Sequence, residues 1–148
     1  MSEYKRIFYD TNPLIYYLEQ NESYLDKMKR FLTEQTEADS DFVTSTITVG
    51  EYLTGPYKNQ DNRLIADFKG FISVYDFDVV PISWEIAEEA ARIRGKYKDY
   101  KLMDSLQLAT AKHSGCDAFV SNDLQLRKFE GLDILIVDEF PSEDLLID

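Results

Sequence analysis

The sequence predicts a single α/β domain whose central parallel sheet is flanked by helices on both faces. Two observations predict this class. Short apolar runs typical of strands alternate with segments of helical spacing, and a length of 148 residues suits one compact domain. In such sheets, binding sites lie beyond the carboxyl ends of the strands, so polar residues that follow strands are the first candidates for a functional site.

Strand-like and helix-like segments follow one another along the chain. Strands are predicted at 6–10, 42–45, 79–82, 118–121 and 134–137. Helices are predicted at 12–19, 23–36, a segment containing Val49, Tyr52 and Leu53, 62–75, 84–98, 102–114 and, as a short element, 124–129. Asn12-Pro13 is the predicted start of the first helix, Gly55-Pro56 the end of the third, and Gly115 the cap of the sixth.

The composition limits the functional classes. Acidic residues outnumber basic residues by 28 to 16, and the resulting net charge of −12 predicts weak long-range attraction to a phosphate backbone. Cys116 is the only cysteine, which excludes a disulfide within the chain and favours a reducing compartment. Because no signal-peptide pattern or membrane-spanning apolar run is present, we expect a cytoplasmic protein without membrane association. Residues 138–148 are interpreted as an acidic tail.

Two candidate carboxylates lie in the first third of the chain, and each has a structural explanation when it is taken alone. Asp10 ends the first strand and suits the turn before a helix. Glu51 matches a capping box that begins at Thr48. A helix that begins earlier, at Ser45 or Thr46, would instead place Glu51 on its second turn, free to point along the edge of the sheet.

Two further candidates lie near the end of the domain. On a helical wheel of 102–114, Asp104 falls between Leu108 and Ala111 in an almost continuous apolar surface, where an unpaired charge is costly. The alternative for Asp104 is a first-turn residue that answers the helix dipole. Asp123 follows the strand at 118–121, and by itself it is explained equally well as a cap for the next helix.

A parallel sheet would bring these four acids, Asp10, Glu51, Asp104 and Asp123, towards one edge. Hard divalent cations prefer oxygen ligands, so the set predicts a site for one or two Mg²⁺ or Mn²⁺ ions. Hydroxyl and amide groups next to the acids are expected to orient the carboxylates or to bind water. These neighbouring residues are Thr11, Asn12, Ser121 and Asn122.

The same segments resemble the motifs of a known family. Residues 7–15, with the sequence IFYDTNPLI, are similar to the opening motif of PIN domains, including the VapC-type toxins of prokaryotic toxin-antitoxin pairs. Residues 48–53, 103–111 and 120–123 resemble the segments that carry the second, third and fourth acids of that family. The resemblance extends from residue 7 to residue 137. No single motif is specific, but the four motifs in this order are. Pro13 is a less usual residue at its position in the family's opening motif.

The resemblance implies a PIN-like three-layer fold, as a single domain over residues 1–137, and the activity of a metal-dependent endoribonuclease that hydrolyses RNA. It assigns Asp10, Glu51 and Asp104 to the first three acids, and Asp123 to the fourth, more variable one. It further implies a homodimer and a toxin that a cognate antitoxin silences. In such a site the ions neutralise a phosphodiester and activate a water for in-line attack.

Basic residues before Asp104 form a candidate track for the RNA backbone. They are interleaved with Tyr97 and Tyr100, whose rings suit stacking on bases. The track comprises Arg92, Arg94, Lys96, Lys98 and Lys101. A solvated helix end with cations that match the dipole is the alternative explanation. His113, the only histidine, falls in the last turn of its helix and is given the same structural explanation.

Two competing functions remain open at this stage. The first is a catalytically weak PIN fold that binds RNA or serves as an assembly module. The second is a phosphatase or receiver-like domain, which also uses aspartates at strand ends. The first strand lacks a second Asp two residues after Asp10, which disfavours the phosphatase.

Overall fold

The computed structural model describes residues 4–141 and confirms the α/β class. The strands are β1 (Arg6–Tyr9), β2 (Asp41–Ser45), β3 (Asp78–Val80), β4 (Ala118–Ser121) and β5 (Asp133–Ile136). The helices are α1 (Thr11–Leu18), α2 (Leu25–Glu37), α3 (Thr46–Lys58), α4 (Asn62–Val74), α5 (Trp84–Lys96) and α6 (Leu102–His113). Two short 3₁₀ helices cover Leu124–Lys128 and Val137–Glu139. Within residues 4–141, no helix has the length and apolar character needed to cross a membrane.

The five strands form one parallel sheet in the order β3-β2-β1-β4-β5. The chain builds the sheet outward from β1 to β2 and β3, and then returns to place β4 on the other side of β1. The boundary between β1 and β4 is therefore the topological switch point, where parallel sheets usually bind their ligands.

Apolar side chains on the two faces of the sheet make two separate cores. One core packs α1, α2 and α4 against the sheet, and its fully buried members include Leu14, Met28, Leu32 and Val120. The other core packs α5 and α6 on the opposite face, around Phe8 and Phe119, whose rings stack at 5.1 Å. Helices on both faces of a parallel sheet give the three layers that the sequence predicts.

The first helix begins earlier than predicted. Asp10, not Asn12, is the N-cap residue, and its side chain accepts a hydrogen bond from the Thr11 N–H at 2.9 Å. Pro13 consequently occupies the third position of α1 instead of the first. This position is tolerated because the N–H groups of the first helical turn have no partner within the helix, so a missing N–H costs nothing there.

The third helix does not end at the predicted Gly55-Pro56. It continues to Lys58 with Pro56 buried inside it, so this prediction is wrong. A proline so near the C-terminus of α3 removes a single helical hydrogen bond, while the Asn59 and Asp61 N–H groups still donate to the carbonyls of Gly55 and Pro56. The burial of the ring adds apolar contact that opposes the cost of the lost bond.

An ion-pair cluster closes the edge of the sheet opposite to the switch point. The Arg6 guanidinium donates to Asp41 at 3.2 Å, to Asp78 at 3.1 Å and to the Ser114 carbonyl at 3.0 Å. These partners lie at the starts of β2 and β3 and just after α6. One side chain thus joins three strands and a helix at the end of the sheet that is remote from the candidate site.

Ordered packing continues past residue 137, where the sequence places the limit of the domain. Phe140 is buried, and its ring stacks on Phe31 of α2 with centroids 4.7 Å apart. The Lys27 ammonium also donates to the Asp138 carbonyl at 2.8 Å. The remainder of the predicted acidic tail, residues 142–148, lies outside the described residues.

Candidate active site

The carboxyl ends of β1 and β4 meet at the switch point and place Asp10 beside Ser121. The Asp10 N–H donates to the Val120 carbonyl at 2.9 Å, which continues the β1–β4 pairing for one more residue. Ser121 Oγ donates to Asp10 Oδ2 at 3.0 Å. Asp10 is thus held at the end of the central strand by a main-chain bond and a side-chain bond to the neighbouring strand.

A cavity of about 300 Å³ opens at this point and collects three of the four predicted acids. The carboxylates of Asp10, Glu51 and Asp104 all line it. The other lining residues are Thr11, Asn12, Ile15, Met103 and Gln107. The structure therefore brings together residues from α1, α3 and α6 that are distant in the sequence.

The Asp10 carboxyl has a raised pKa of about 6, compared with its ordinary value of 3.8. Loss of solvent at the switch point is the largest cause, because it disfavours the charged form. Hydrogen bonds from the Thr11 N–H, Ser121 and Gln107 oppose this effect, and the charge of Asp104 adds to it. A divalent cation would relieve both the desolvation and the repulsion.

Glu51 lies on the second turn of α3, because the helix begins at Thr46 with Ser45 as its N-cap. The capping box from Thr48 is therefore not formed, and the earlier helix start proposed as the alternative is confirmed. Thr11 Oγ1 donates to Glu51 Oε1 at 2.6 Å. This bond ties the Glu51 side chain to the α1 terminus that also carries Asp10.

Asp104 lies in the first turn of α6, half-buried at the mouth of the cavity. Desolvation raises the pKa of its carboxyl, and the negative charges of Asp123 and Glu51 raise it further. The Lys101 backbone N–H and the Lys101 charge act in the opposite direction. Asp104 is therefore a first-turn residue of its helix, as the structural explanation expects, and its carboxyl also interacts electrostatically with the other acids.

Asp123 stands apart from the other three acids. Its Oδ1 accepts from the Gln125 N–H at 3.0 Å and so caps the 3₁₀ helix, and Asp123 does not line the cavity. The Asp123 N–H donates to Ser121 Oγ at 3.2 Å, which connects it indirectly to Asp10. Its charge nevertheless raises the pKa of Asp104, so the two carboxylates are close enough to interact electrostatically.

The four neighbouring polar residues divide into two groups. Thr11 and Ser121 contact the acids directly through their hydroxyls. Asn12 is exposed and lines the cavity without a hydrogen bond to an acid among residues 4–141. Asn122 turns away, since its carbonyl oxygen accepts from the Asp138 N–H at 2.9 Å and its amide faces the Tyr16 hydroxyl at 3.5 Å.

Sequence reasoning missed Gln107, which is buried and contacts Asp10, Ser45 and Thr48. Its Nε2 donates to Asp10 Oδ1 at 3.3 Å and to Thr48 Oγ1 at 2.9 Å. One feature of the sequence points to Gln107: it is a polar residue one turn after Asp104 on an apolar helix face. A buried amide at such a position needs hydrogen-bond partners.

Several members of the basic track are engaged within the protein. Arg92 pairs with Glu88 and Glu89, and Lys96 lies 3.6 Å from a Glu130 carboxylate oxygen. The Tyr97 and Tyr100 rings stack on each other at 4.9 Å, and Tyr100 is buried. Because Tyr100 is buried, its ring is not available to stack on RNA bases.

The other cations of the track remain exposed. Arg94 donates through Nε to the Tyr100 carbonyl at 3.2 Å. Lys98 and Lys101 form no ion pair within the part of the chain that the structure describes. Lys101 directly precedes α6, and its charge lowers the pKa of Asp104, which lines the cavity.

The donor set of the cavity fits a hard divalent cation. Its carboxylates are hard oxygen ligands, and none of the four acids is neutralised by a Lys or Arg ion pair within residues 4–141. Within the same range, no three acidic, histidine or cysteine side chains stand close enough to enclose an ion directly. Coordination through several waters, as Mg²⁺ prefers, suits this wider spacing.

The parallel sheet and the acid-lined cavity at its switch point define a three-layer α/β protein with a candidate active site. A sequence profile of the PIN domain matches residues 7–132, which is most of the chain. The chain therefore belongs to the PIN domain family, whose members are nucleases that generally use divalent metal ions. The resemblance read from the motifs is confirmed.

Solved structures with the same fold include three toxin-antitoxin complexes. A DNA-bound VapBC from Salmonella typhimurium matches with a TM-score of 0.73 at 22% identity, over 90% of this chain and 98% of that one. A toxin-antitoxin complex from Klebsiella pneumoniae has a TM-score of 0.66 at 24% identity, with 88% and 97% coverage. VapBC2 from Rickettsia felis, bound to a promoter DNA fragment, has a TM-score of 0.69 at 14% identity, with 88% and 98% coverage. A comparison with curated proteins finds no match.

Proposed function

We propose that this chain is an endoribonuclease that depends on Mg²⁺ or Mn²⁺ and acts as the toxin of a toxin-antitoxin pair. One observation carries the proposal: Asp10, Glu51 and Asp104 line a single cavity at the switch point of a PIN fold. A cavity lined by carboxylates suits a metal-assisted hydrolysis, because the acids repel phosphate unless cations intervene.

The proposed roles follow from where the side chains lie. Asp10 and Asp104 are the principal holders of one or two ions, Glu51 completes the set, and Asp123 assists through its charge. When bound, the ions supply neutralisation of the phosphodiester and an activated water. Thr11 and Ser121 keep two of the carboxylates oriented towards the cavity.

The first experiment is cleavage of a pool of structured and single-stranded RNA by the purified protein with Mg²⁺, Mn²⁺ or EDTA. We expect cleavage with either metal, none with EDTA, and a loss of at least about 100-fold in Asp10→Asn and Asp104→Asn. Asp26→Asn is the matched control, because it removes an exposed carboxylate of α2 that lies outside the cavity lining. Equal activity of wild type and both site variants would identify a contaminating nuclease and overturn the proposal.

The toxin assignment draws on the three solved complexes, each of which contains a toxin-antitoxin pair or a VapBC protein. Expression of the wild type in a bacterial cytoplasm, the proposed place of action, is expected to arrest growth, whereas Asp10→Asn is not. Co-expression of a small protein encoded beside this chain should restore growth and co-purify with it. Growth unaffected by the wild type would remove the toxin role and leave the nuclease to be judged by the cleavage experiment.

The proposed homodimer is tested separately by the mass of the purified protein in solution. Light scattering is expected to give twice the chain mass of 17.2 kDa. A mass that stays at one chain over a wide concentration range would contradict the dimer.

A second candidate, an RNA-binding or assembly module, is favoured by one observation: no three acids enclose a common ion position within residues 4–141. A folded protein that binds RNA but does not cut it with either metal would support this module. Hydrolysis of phosphate monoesters without RNA cleavage would instead support the phosphatase alternative.

A further inference from the structure

Gln107 connects the three acid-bearing segments of the site, and its partners fix its orientation. Nε2 donates to Asp10 Oδ1 and Thr48 Oγ1, while Oε1 accepts from the Ser45 hydroxyl. A flipped amide would direct Oε1 at the Asp10 carboxylate, which only accepts hydrogen bonds when it is ionised. The Asp10 carboxylate therefore requires the observed orientation, and the Ser45 and Thr48 hydroxyls, which can donate or accept, are compatible with it.

The hydrogen bonds beyond Gln107 run in one direction. The single hydroxyl proton of Thr11 is donated to Glu51 Oε1 at 2.6 Å. In the 3.1 Å contact between the Thr11 and Thr48 hydroxyls, Thr48 must then be the donor. Because the Thr48 proton is used in this way, its oxygen is free to accept from Gln107. A directed chain thus leads from the amide through two hydroxyls to the Glu51 carboxylate.

Gln107 lies in a largely apolar stretch of α6, although its own side chain faces the polar groups of Asp10, Ser45 and Thr48. The side chain is 2% exposed and lies on α6 between Leu106 and Leu108, with Leu108 and Ala111 fully buried nearby on the same helix. A leucine has a similar volume and would avoid the cost of desolvating an amide. The full use of the amide in hydrogen bonds indicates a function for its polarity.

We propose that Gln107 is a positioning residue for the metal ligands. It holds Asp10 directly and Glu51 through Thr48 and Thr11, so both carboxylates keep fixed positions facing the cavity that Asp104 enters. This inference rests on the proposed metal-dependent nuclease. Groups that hydrogen-bond to metal ligands typically contribute 10-fold to 100-fold in metal affinity.

The test is the Mn²⁺ affinity of the purified full-length protein, measured from the electron paramagnetic resonance signal of free Mn²⁺. Gln107→Leu is expected to weaken Mn²⁺ binding about 10-fold to 100-fold. Thr110→Val is the matched control: it removes a buried hydroxyl of the same helix that donates only to the Leu106 carbonyl at 2.7 Å. We expect the control to bind Mn²⁺ as the wild type does.

A double-mutant cycle separates positioning from a general loss of packing. Thr48→Val breaks the same chain one bond further on and is expected to weaken Mn²⁺ binding as well. Because Gln107 and Thr48 act through one network, the two effects should be non-additive, whereas those of Gln107→Leu and Thr110→Val should add. If Gln107→Leu does not fold, Thr48→Val alone still tests the chain against Thr110→Val.

Each outcome bears on a different claim. Unchanged Mn²⁺ affinity in Gln107→Leu and Thr48→Val, or additive effects in the cycle, overturns the positioning role and leaves the nuclease intact. A wild type that binds Mn²⁺ but cuts no RNA overturns the nuclease, while weakened Mn²⁺ binding by the variants still supports the positioning role. A wild type that binds no Mn²⁺ overturns both.

Discussion

Ser121 Oγ donates to Asp10 Oδ2 at 3.0 Å across 111 residues of sequence, and this bond joins the ends of the two strands at the switch point. The bond favours the charged form of Asp10, whereas burial favours the neutral form and dominates, so the pKa rises to about 6. The fold therefore keeps the Asp10 carboxyl in a place where its charged form is disfavoured. Such a placement is expected of a residue that has a function.

The first prediction concerns the stability of Asp10→Asn in EDTA. The folded pKa of about 6 lies above the ordinary 3.8, so the folded state binds the proton more tightly and the wild type gains stability as the pH falls through 6. The variant lacks this gain. Its stability relative to the wild type should therefore fall by roughly 1.4 kcal/mol from pH 8 to pH 5.

Urea unfolding at the two pH values measures this difference. Asp26→Asn, which removes an exposed carboxylate, should change the unfolding free energy by less than about 0.5 kcal/mol at either pH. A difference between Asp10→Asn and wild type that is the same at pH 8 and pH 5 would show that burial does not shift the Asp10 pKa as described.

The second prediction concerns Thr11, whose hydroxyl holds Glu51. Thr11→Val keeps the shape of the side chain but removes the 2.6 Å bond, so RNA cleavage should fall about 10-fold to 100-fold. Thr11→Ser keeps the hydroxyl and should retain most of the activity. The cleavage rate at saturating Mn²⁺ is the measurement, and equal losses in the two variants would mean that the methyl group, and not the hydroxyl, matters.

Most of the fold and much of the site could be predicted from local sequence patterns. Asp10 and Asp104 were recognisable because a strand end and a buried helix face each leave a local signature. Gln107 left only a weak signal, since its partners Ser45 and Thr48 come from a segment about 60 residues away. Contacts between residues so far apart in the sequence depend on the packing of α6 against β2. A local sequence pattern does not predict this packing.

The position of Glu51 was open for a different reason. Ser45, Thr46 and Thr48 all suit an N-cap, so local preferences did not decide where α3 begins. The end of β2 at Ser45 settled it, because the strand delivers the chain directly into the helix. Pro56 misled the prediction because the sequence cannot show that its ring is buried.

The third prediction concerns Lys101, the cation of the track whose charge acts on Asp104 at the cavity. Lys101→Gln is expected to weaken RNA binding about threefold to tenfold at low salt and to reduce the salt slope by about 0.7. The substitution leaves the helix start intact, since Lys101 caps α6 without a side-chain hydrogen bond. Binding to a single-stranded RNA at several salt concentrations is the measurement. Lys69→Gln, at an exposed position of α4, should have little effect. Equal effects of the two substitutions would mean that RNA binding depends on the net charge of the protein and not on the track.

The last prediction tests where the domain ends. We propose that the single domain extends at least to Phe140, whose ring is buried against Phe31 at a centroid distance of 4.7 Å. Phe140→Ala should lower the unfolding free energy by about 3 kcal/mol or more through the lost burial and the cavity it leaves. Phe140→Leu should cost less than about 1.5 kcal/mol, because most of the volume is kept.

Urea unfolding of this pair of variants is the measurement. The comparison requires a single transition and an unchanged dependence of the unfolding free energy on urea concentration. Val74→Ala is the matched control, because that side chain is 80% exposed and its truncation should cost less than about 0.5 kcal/mol. If Phe140→Ala were as mild as Val74→Ala, the contact would contribute nothing and the domain would end near residue 137. A loss of the expected size would place Phe140 in the core, because truncation of an exposed side chain costs far less.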